Sequence, residues 1–318
     1  MQSSAFAVND VPYCLWEIDL AARTRSFLDG VDPDYFDYVL QAHTNTEDEK
    51  RALVAIRLSL HHATETMFSL LGAFVQAPDC PYAWIAKCSN PELREFAERV
   101  SKQDQSVITK LNIPSISWTS IAGAIFAAYQ PGSTRQKNTI DCFARLWDAL
   151  TYELVNQVHV DEYNALKHGF RAKPGGFKLE IGAEPVNGVP PPDSDMKTLG
   201  ESAFGATFLK IEALGSSKGT PHIRSRQTSV NWSLERIVLL HQLVYMSINN
   251  AVSALKIVNN YPPSTSRFLR PENDLDFEQP WKHSPGVTSF NVDYVLDERL
   301  LPCLSKKELL AKLRGCSS

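Results

Sequence analysis

The run Tyr163-Asn164-Ala165-Leu166-Lys167-His168-Gly169-Phe170-Arg171 concentrates the groups that could hold a phosphate and move a proton. On an α-helix, Asn164, Lys167, His168 and Arg171 stand at i, i+3, i+4 and i+7, so all four project from one face. Asn164, Lys167 and Arg171 offer amide, ammonium and guanidinium donors to an anionic ligand. His168 is the candidate catalytic group, because an imidazole titrates near pH 6.5 and can both accept and release a proton. The ordinary alternative is a solvated helix end, where cations complement the macrodipole ahead of Gly169.

A second group lies upstream. Arg57, His61 and Glu65 are spaced i, i+4 and i+8, with His62 beside them. A carboxylate one turn from a histidine can orient it for acid–base work, or form a surface pair worth a few tenths of a kcal/mol. His241 sits on the apolar stripe of a later helix, where a lone histidine is most often a hydrogen-bonded core residue. His61 with Glu65, and His159 with Glu162, could each supply two metal ligands, but the Glu-x-x-His pairs of di-iron bundles are absent. There is no glycine-rich phosphate loop, Gly-x-Ser-x-Gly elbow or His-Glu-x-x-His. The sequence therefore predicts no metal and no cofactor.

The elements that must position these residues are mostly helices. Thr46 followed by Glu49 has capping-box spacing, and Leu53, Ile56, Leu60, Met67, Leu71 and Phe74 then recur at helical spacing. Shorter helices are predicted over residues 91–103 and 117–129. Phe143, Leu146, Leu150, Leu154 and Val158 mark a second long helix, running on or closely continued to about Arg171. Phe177, Leu179 and Ile181 alternate with charged residues and predict a strand that pairs with another over residues 206–214. A third long helix follows, with Leu234, Ile237, Val238, His241, Tyr245, Ile248, Val252 and Leu255 on its stripe. The predicted fold class is mainly α: a helical bundle with a small two-stranded β insertion and an extended C-terminal tail. The predicted organisation is an irregular arm over residues 1–45, a helical domain over 46–261 with the insertion at about 175–215, and the tail over 262–318.

Composition narrows the class of partner. Apolar residues make up 43% of the 318, enough to build a core and too many for a disordered chain. The formal charge of −4 lacks the basic excess of a general nucleic-acid or membrane-surface binder, leaving room only for a local basic site. Residues 1–13 have neither the basic nor the apolar region of a signal peptide, and residues 67–77 are too short to span a bilayer. The six cysteines are scattered, without a C-x-x-C pair. A soluble, cytoplasmic protein with no membrane partner is the expectation.

The Asn164-Ala165-Leu166-Lys167-His168-Gly169 run resembles a pattern in uncharacterised bacterial helical proteins, which are themselves distantly similar to the HEPN superfamily. HEPN domains are helical bundles, many of them dimeric, metal-independent ribonucleases of toxin, CRISPR and phage-defence systems. Their signature, an Arg and a His separated by four to six residues, has counterparts here in Arg57…His62 and Arg236…His241. Leu58 and Ile237 replace the usual polar neighbour of the Arg. The resemblance spans the helices between Thr46 and Tyr261. It implies an RNA-cleaving homodimer acting in stress or phage defence, with His168, His62, Arg57 and His241 near the proton transfers. Lys167 and Arg171 would then stabilise charge on the phosphate. The alternative from another class is a non-catalytic helical protein that uses the same face to hold a protein partner or an anionic ligand.

Overall fold

Asn9 takes up a φ of 52°, left-handed backbone that asparagine tolerates better than most residues. With Asp10 it turns strand β1 (Gln2–Val8) back onto the antiparallel strand β2 (Val11–Glu17). The computed structural model describes residues 1–169, 171–217, 220–293 and 304–315. After the hairpin come α1 (Leu20–Gly30), α2 (Tyr35–Thr44), α3 (Glu49–Gln76), α4 (Pro81–Lys87) and α5 (Asn90–Ser101). They are followed by α6 (Trp118–Ile125), α7 (Thr134–Val155) and α8 (Gln157–Lys167). Strands β3 (Ala172–Pro174), β4 (Lys178–Ile181), β5 (Lys197–Glu201), β6 (Gly205–Ser217) and β7 (Thr220–Asn231) precede α9 (Leu234–Val258). Strand β8 (Ser289–Val292) and helix α10 (Lys306–Gly315) complete the described elements.

Two units divide the chain. The first holds Met1–Tyr163 and Ser233–Ser284, and α3, α7 and α9 run through its interior. The stripes read from the sequence are its core: Leu53, Ile56, Leu60, Met67, Leu71 and Phe74 on α3 are all buried, as are Phe143, Leu146 and Leu150 on α7. Helix α3 starts two residues later than the predicted capping box would place it, because Asp48 rather than Thr46 is the N-cap and its side chain accepts the Arg51 N–H. Helix α9 is long and apolar enough to cross a membrane, and 72% of its most apolar window is buried within the protein.

The second unit holds Asn164–Trp232 and Pro285–Ser318 and is built on strands. Its main sheet has the order β3-β6-β7-β8, with β6 and β7 forming a long antiparallel hairpin, and β4 pairs separately with β5.

The mainly α expectation is thereby corrected. The structure is about 54% helix and 19% strand, with three sheets of two, four and two strands among the described residues, a mixed α/β fold rather than an all-α bundle with a two-stranded insertion. The 178–181 strand pairs with residues 197–201, and the 206–214 strand pairs with β7. The physical reason is legible afterwards: β7 carries Arg224, Ser225, Arg226, Gln227 and Thr228 in succession, polar on both faces, so it shows no alternation. Residues 1–45, expected to be irregular, hold the β1–β2 hairpin and two helices. The start of the predicted tail is also tied down, since Asn250 on α9 exchanges two hydrogen bonds with the Leu269 backbone, at 2.8 and 2.7 Å. Ser253 does the same with Arg267.

Candidate active site

Helix α3 carries a buried arginine among its apolar residues, and α8 carries a buried glutamate. Arg57 Nε and Nη2 donate to the two Glu162 carboxylate oxygens at 2.9 and 2.7 Å, with none of the Glu162 side chain exposed. Burial opposes both charges, but each stabilises the other. The Arg57 guanidinium stays above its usual pKa and the Glu162 carboxyl is held well below the usual carboxylate range.

One turn after Arg57, His61 joins the pair, its Nε2 3.5 Å from Glu162 Oε2 without hydrogen-bond alignment. Burial and then the neighbouring Arg57 lower the His61 pKa to about 4, so the ring is neutral at pH 7. Its Nδ1 makes no hydrogen bond among the described residues. Tyr163 stacks on the ring at 5.2 Å between centroids. Burial and the adjacent Glu65 push that phenol up to about 12, and Glu65 in turn accepts from Asn90 Nδ2 at 2.8 Å.

A second imidazole arrives from α8. The His159 ring centroid lies 6.5 Å from that of His61. Its Nδ1 is 3.0 Å from Glu153 Oε2, which fixes the ring and leaves Nε2 as the nitrogen that Glu153 does not engage. Arg236 Nη2 donates to the other Glu153 oxygen at 2.6 Å. Burial works against the Glu153 charge, and His159, Arg236 and Arg57 together bring its pKa down to about 2.

Arg57, His61, Glu65, Glu153, His159 and Tyr163 line a cavity of about 40 Å³ together with Leu60, Leu150, Leu154 and Leu240. That is room for a few water molecules or one small functional group. Arg94 on α5 also lines it, half-buried and without an ion pair or hydrogen bond among the described residues. A neutral imidazole, a carboxylate-oriented imidazole and an unpaired guanidinium therefore face one space.

The residues singled out from the sequence are distributed differently. Helix α8 ends at Lys167, His168 lies in the turn after it, and Gly169 has a φ of +66°. The expected i to i+7 stripe stops there, so Arg171 does not continue the face of Asn164 and Lys167. All four are exposed and belong to the second unit. Of the Arg57 and His62 pair, Arg57 is in the cavity, whereas His62 turns away and meets the Phe36 ring edge-on at 5.4 Å. His241 is wholly buried, with Nε2 2.9 Å from Ser59 Oγ, and burial lowers its pKa to about 4. Its motif partner Arg236 bonds Glu153 instead.

The sequence reading missed Arg94 and Glu153 and noted His159 and Glu162 only as two possible metal ligands. Glu162 was the available signal, since a glutamate one turn ahead of buried Ala165 and Leu166 must bring a partner with it. Among the described residues no group of three or more His, Cys, Asp or Glu is placed to hold a metal ion. Comparison of the chain with protein-family models, with curated proteins and with solved structures finds no match.

Proposed function

We propose that the first unit is an acid–base catalyst of RNA cleavage, with His61 and His159 as the proton-transfer pair. The observation that carries this reading is the convergence of two imidazoles from separate helices on a cavity that an unpaired guanidinium also lines. RNA as the substrate draws on the resemblance to HEPN ribonucleases, with the working histidine moved one position, from His62 to His61.

In this reaction His61 Nδ1 takes the proton from the ribose 2′-hydroxyl. The oxygen attacks the adjacent phosphorus, forming the new P–O bond as the bond to the 5′-oxygen breaks. His159 Nε2 gives a proton to that leaving oxygen. The products are a 2′,3′-cyclic phosphate and a 5′-hydroxyl end, and proton exchange with water, lost from His61 and regained by His159, resets the pair. Arg94 faces the charge that builds on the phosphate oxygens. The cavity is too small to enclose a nucleotide, so the phosphate sits at its mouth; 13% of the His61 side chain is accessible.

The test is end-labelled single-stranded RNA incubated with the protein in EDTA. Cleavage to cyclic-phosphate ends is expected, and His61→Ala and His159→Ala should each lower the rate by roughly 10²–10⁴-fold. RNA left intact by the wild-type protein ends the catalytic reading. Binding without products would support the non-catalytic alternative, in which the cavity holds an anionic group.

A further inference from the structure

Helix α7 connects the cavity to a second, larger groove. Cys142, Leu146, Ala149 and Glu153 recur at spacings of four, three and four, so they share one face of the helix. Glu153 is at the cavity, while Cys142, Leu146 and Ala149 floor a groove of about 490 Å³ in the same unit. At 1.5 Å per residue, Ala149 is about 6 Å along the axis from Glu153. The two sites are neighbours on one rigid element.

The far wall of the groove is the tight turn Gln279–Lys282, which carries Trp281. Pro280 is buried beneath it, and buried Phe277 packs edge-on against Phe143 of α7 at 4.9 Å. The turn is thus anchored while 39% of Trp281 remains exposed toward solvent. Arg145 and Lys282 stand at the rim, neither with a carboxylate partner among the described residues, and Glu278 is the one acidic residue among those lining the groove, although Arg145 also borders a neighbouring pocket with Asp141 and Asp148. An anchored indole beside a net positive rim suits a planar ring joined to an anion. A base with its phosphate is such a ligand.

We infer that this groove is a base-stacking subsite for single-stranded RNA, holding a nucleotide beside the phosphate that is cleaved. The inference rests on the RNA reading of the first cavity. Trp281 stacks on the base, and Arg145 and Lys282 face the flanking phosphates. The apolar floor of Leu146 and Ala149 lies under the ring. Because stacking recognises a π-face rather than base edges, the subsite has little sequence preference.

The probe is a fluorescently labelled RNA oligonucleotide with 2′-O-methyl riboses, which cannot be cleaved, followed by anisotropy with the full-length protein. Wild type should bind it. Trp281→Ala should weaken binding roughly 5- to 100-fold, and Trp281→Phe, which keeps a ring, should retain most of it. Arg145→Ala with Lys282→Ala should weaken binding and flatten its dependence on salt. Affinity that is equal in wild type and Trp281→Ala overturns the subsite, as does absence of binding by wild type. Cleavage of ordinary RNA by the wild-type and Trp281→Ala proteins, assayed alongside, separates the two claims. Binding through Trp281 without cleavage of ordinary RNA would leave the subsite and remove the catalytic reading. Cleavage with Trp281→Ala behaving as wild type would do the reverse.

Discussion

Arg57 and Glu162, 105 positions apart in the chain, form a two-pronged ion pair at 2.9 and 2.7 Å inside the helical unit. Neither charge is stable there alone, since desolvating an unpaired ion costs several kcal/mol. The pair fixes α8 against α3 at one register, and that register brings His159 to His61. The same carboxylate that neutralises Arg57 lies beside His61. Organisation of the cavity and stability of the fold therefore depend on one contact.

Glu162→Gln should destabilise the protein by about 3–5 kcal/mol, because it leaves the Arg57 charge buried without its counterion. The double replacement Arg57→Met with Glu162→Leu removes both charges and should recover most of that loss. Urea melts of the three proteins check this. Equal loss in the single and double variants would mean that the charges are not what the interior is organised around.

Much of the first unit was legible in the sequence, and the limits have physical causes. The stripes on α3, α7 and α9 were readable because a helix buried along one side must repeat its apolar residues every three or four positions. The β7 strand was not, because it is polar on both faces and carries no period. The β1–β2 hairpin hid in a short segment whose turn, Asn9-Asp10, lacks the glycine that usually signals one. At the site, Arg57 and His61 could be grouped because they share a helix. His159, Glu153 and Arg94 come from other helices, and pattern within one helix says nothing of which faces meet. The helix stop at Lys167 was misplaced in the other direction, since the polar spacing runs on past it while Gly169 turns the backbone.

Stability should fall on acidification below about pH 6.5. His61 and His241 have folded-state pKa values of about 4, against about 6.5 when unfolded. Between those values the unfolded chain binds more protons, so folding weakens as the pH drops. Each histidine accounts for up to about 3 kcal/mol across that window. Glu153 and Glu162, both held below the carboxylate range, extend the loss to lower pH. Urea melts from pH 4 to 8 should be flat above pH 7 and decline below 6.5. His241→Leu should make the decline shallower, and an unchanged slope would show that His241 is not held neutral.

Gly72 tests the packing of the core at a single atom. A Cβ added there would come within 2.3–2.9 Å of three Trp84 ring atoms, and Trp84 is fully buried with its Nε1 donating to Gln76 Oε1 at 3.1 Å. The ring cannot retreat without breaking that bond. Gly72→Ala should therefore destabilise by roughly 1–3 kcal/mol, despite alanine's higher helix propensity. Gly72→Ala combined with Trp84→Phe should be less than the sum of the two single changes. Strict additivity would mean that the clash is relieved elsewhere.

His168 separates the cavity from the polar run after it. Its exposed position in the turn following α8 gives it no packing to lose, so His168→Ala should change stability by no more than about 0.5 kcal/mol. If the chemistry belongs to His61 and His159, His168→Ala should also cleave RNA at the wild-type rate, while His61→Ala is slowed roughly 10²–10⁴-fold. Lys167→Ala should behave similarly in the cleavage assay at moderate salt. The decisive outcome is a His168→Ala protein that melts normally and has lost all cleavage. It would move the proton transfer out of the buried cavity and onto the second unit, and the pairing of His61 with His159 would then be a feature of the fold alone.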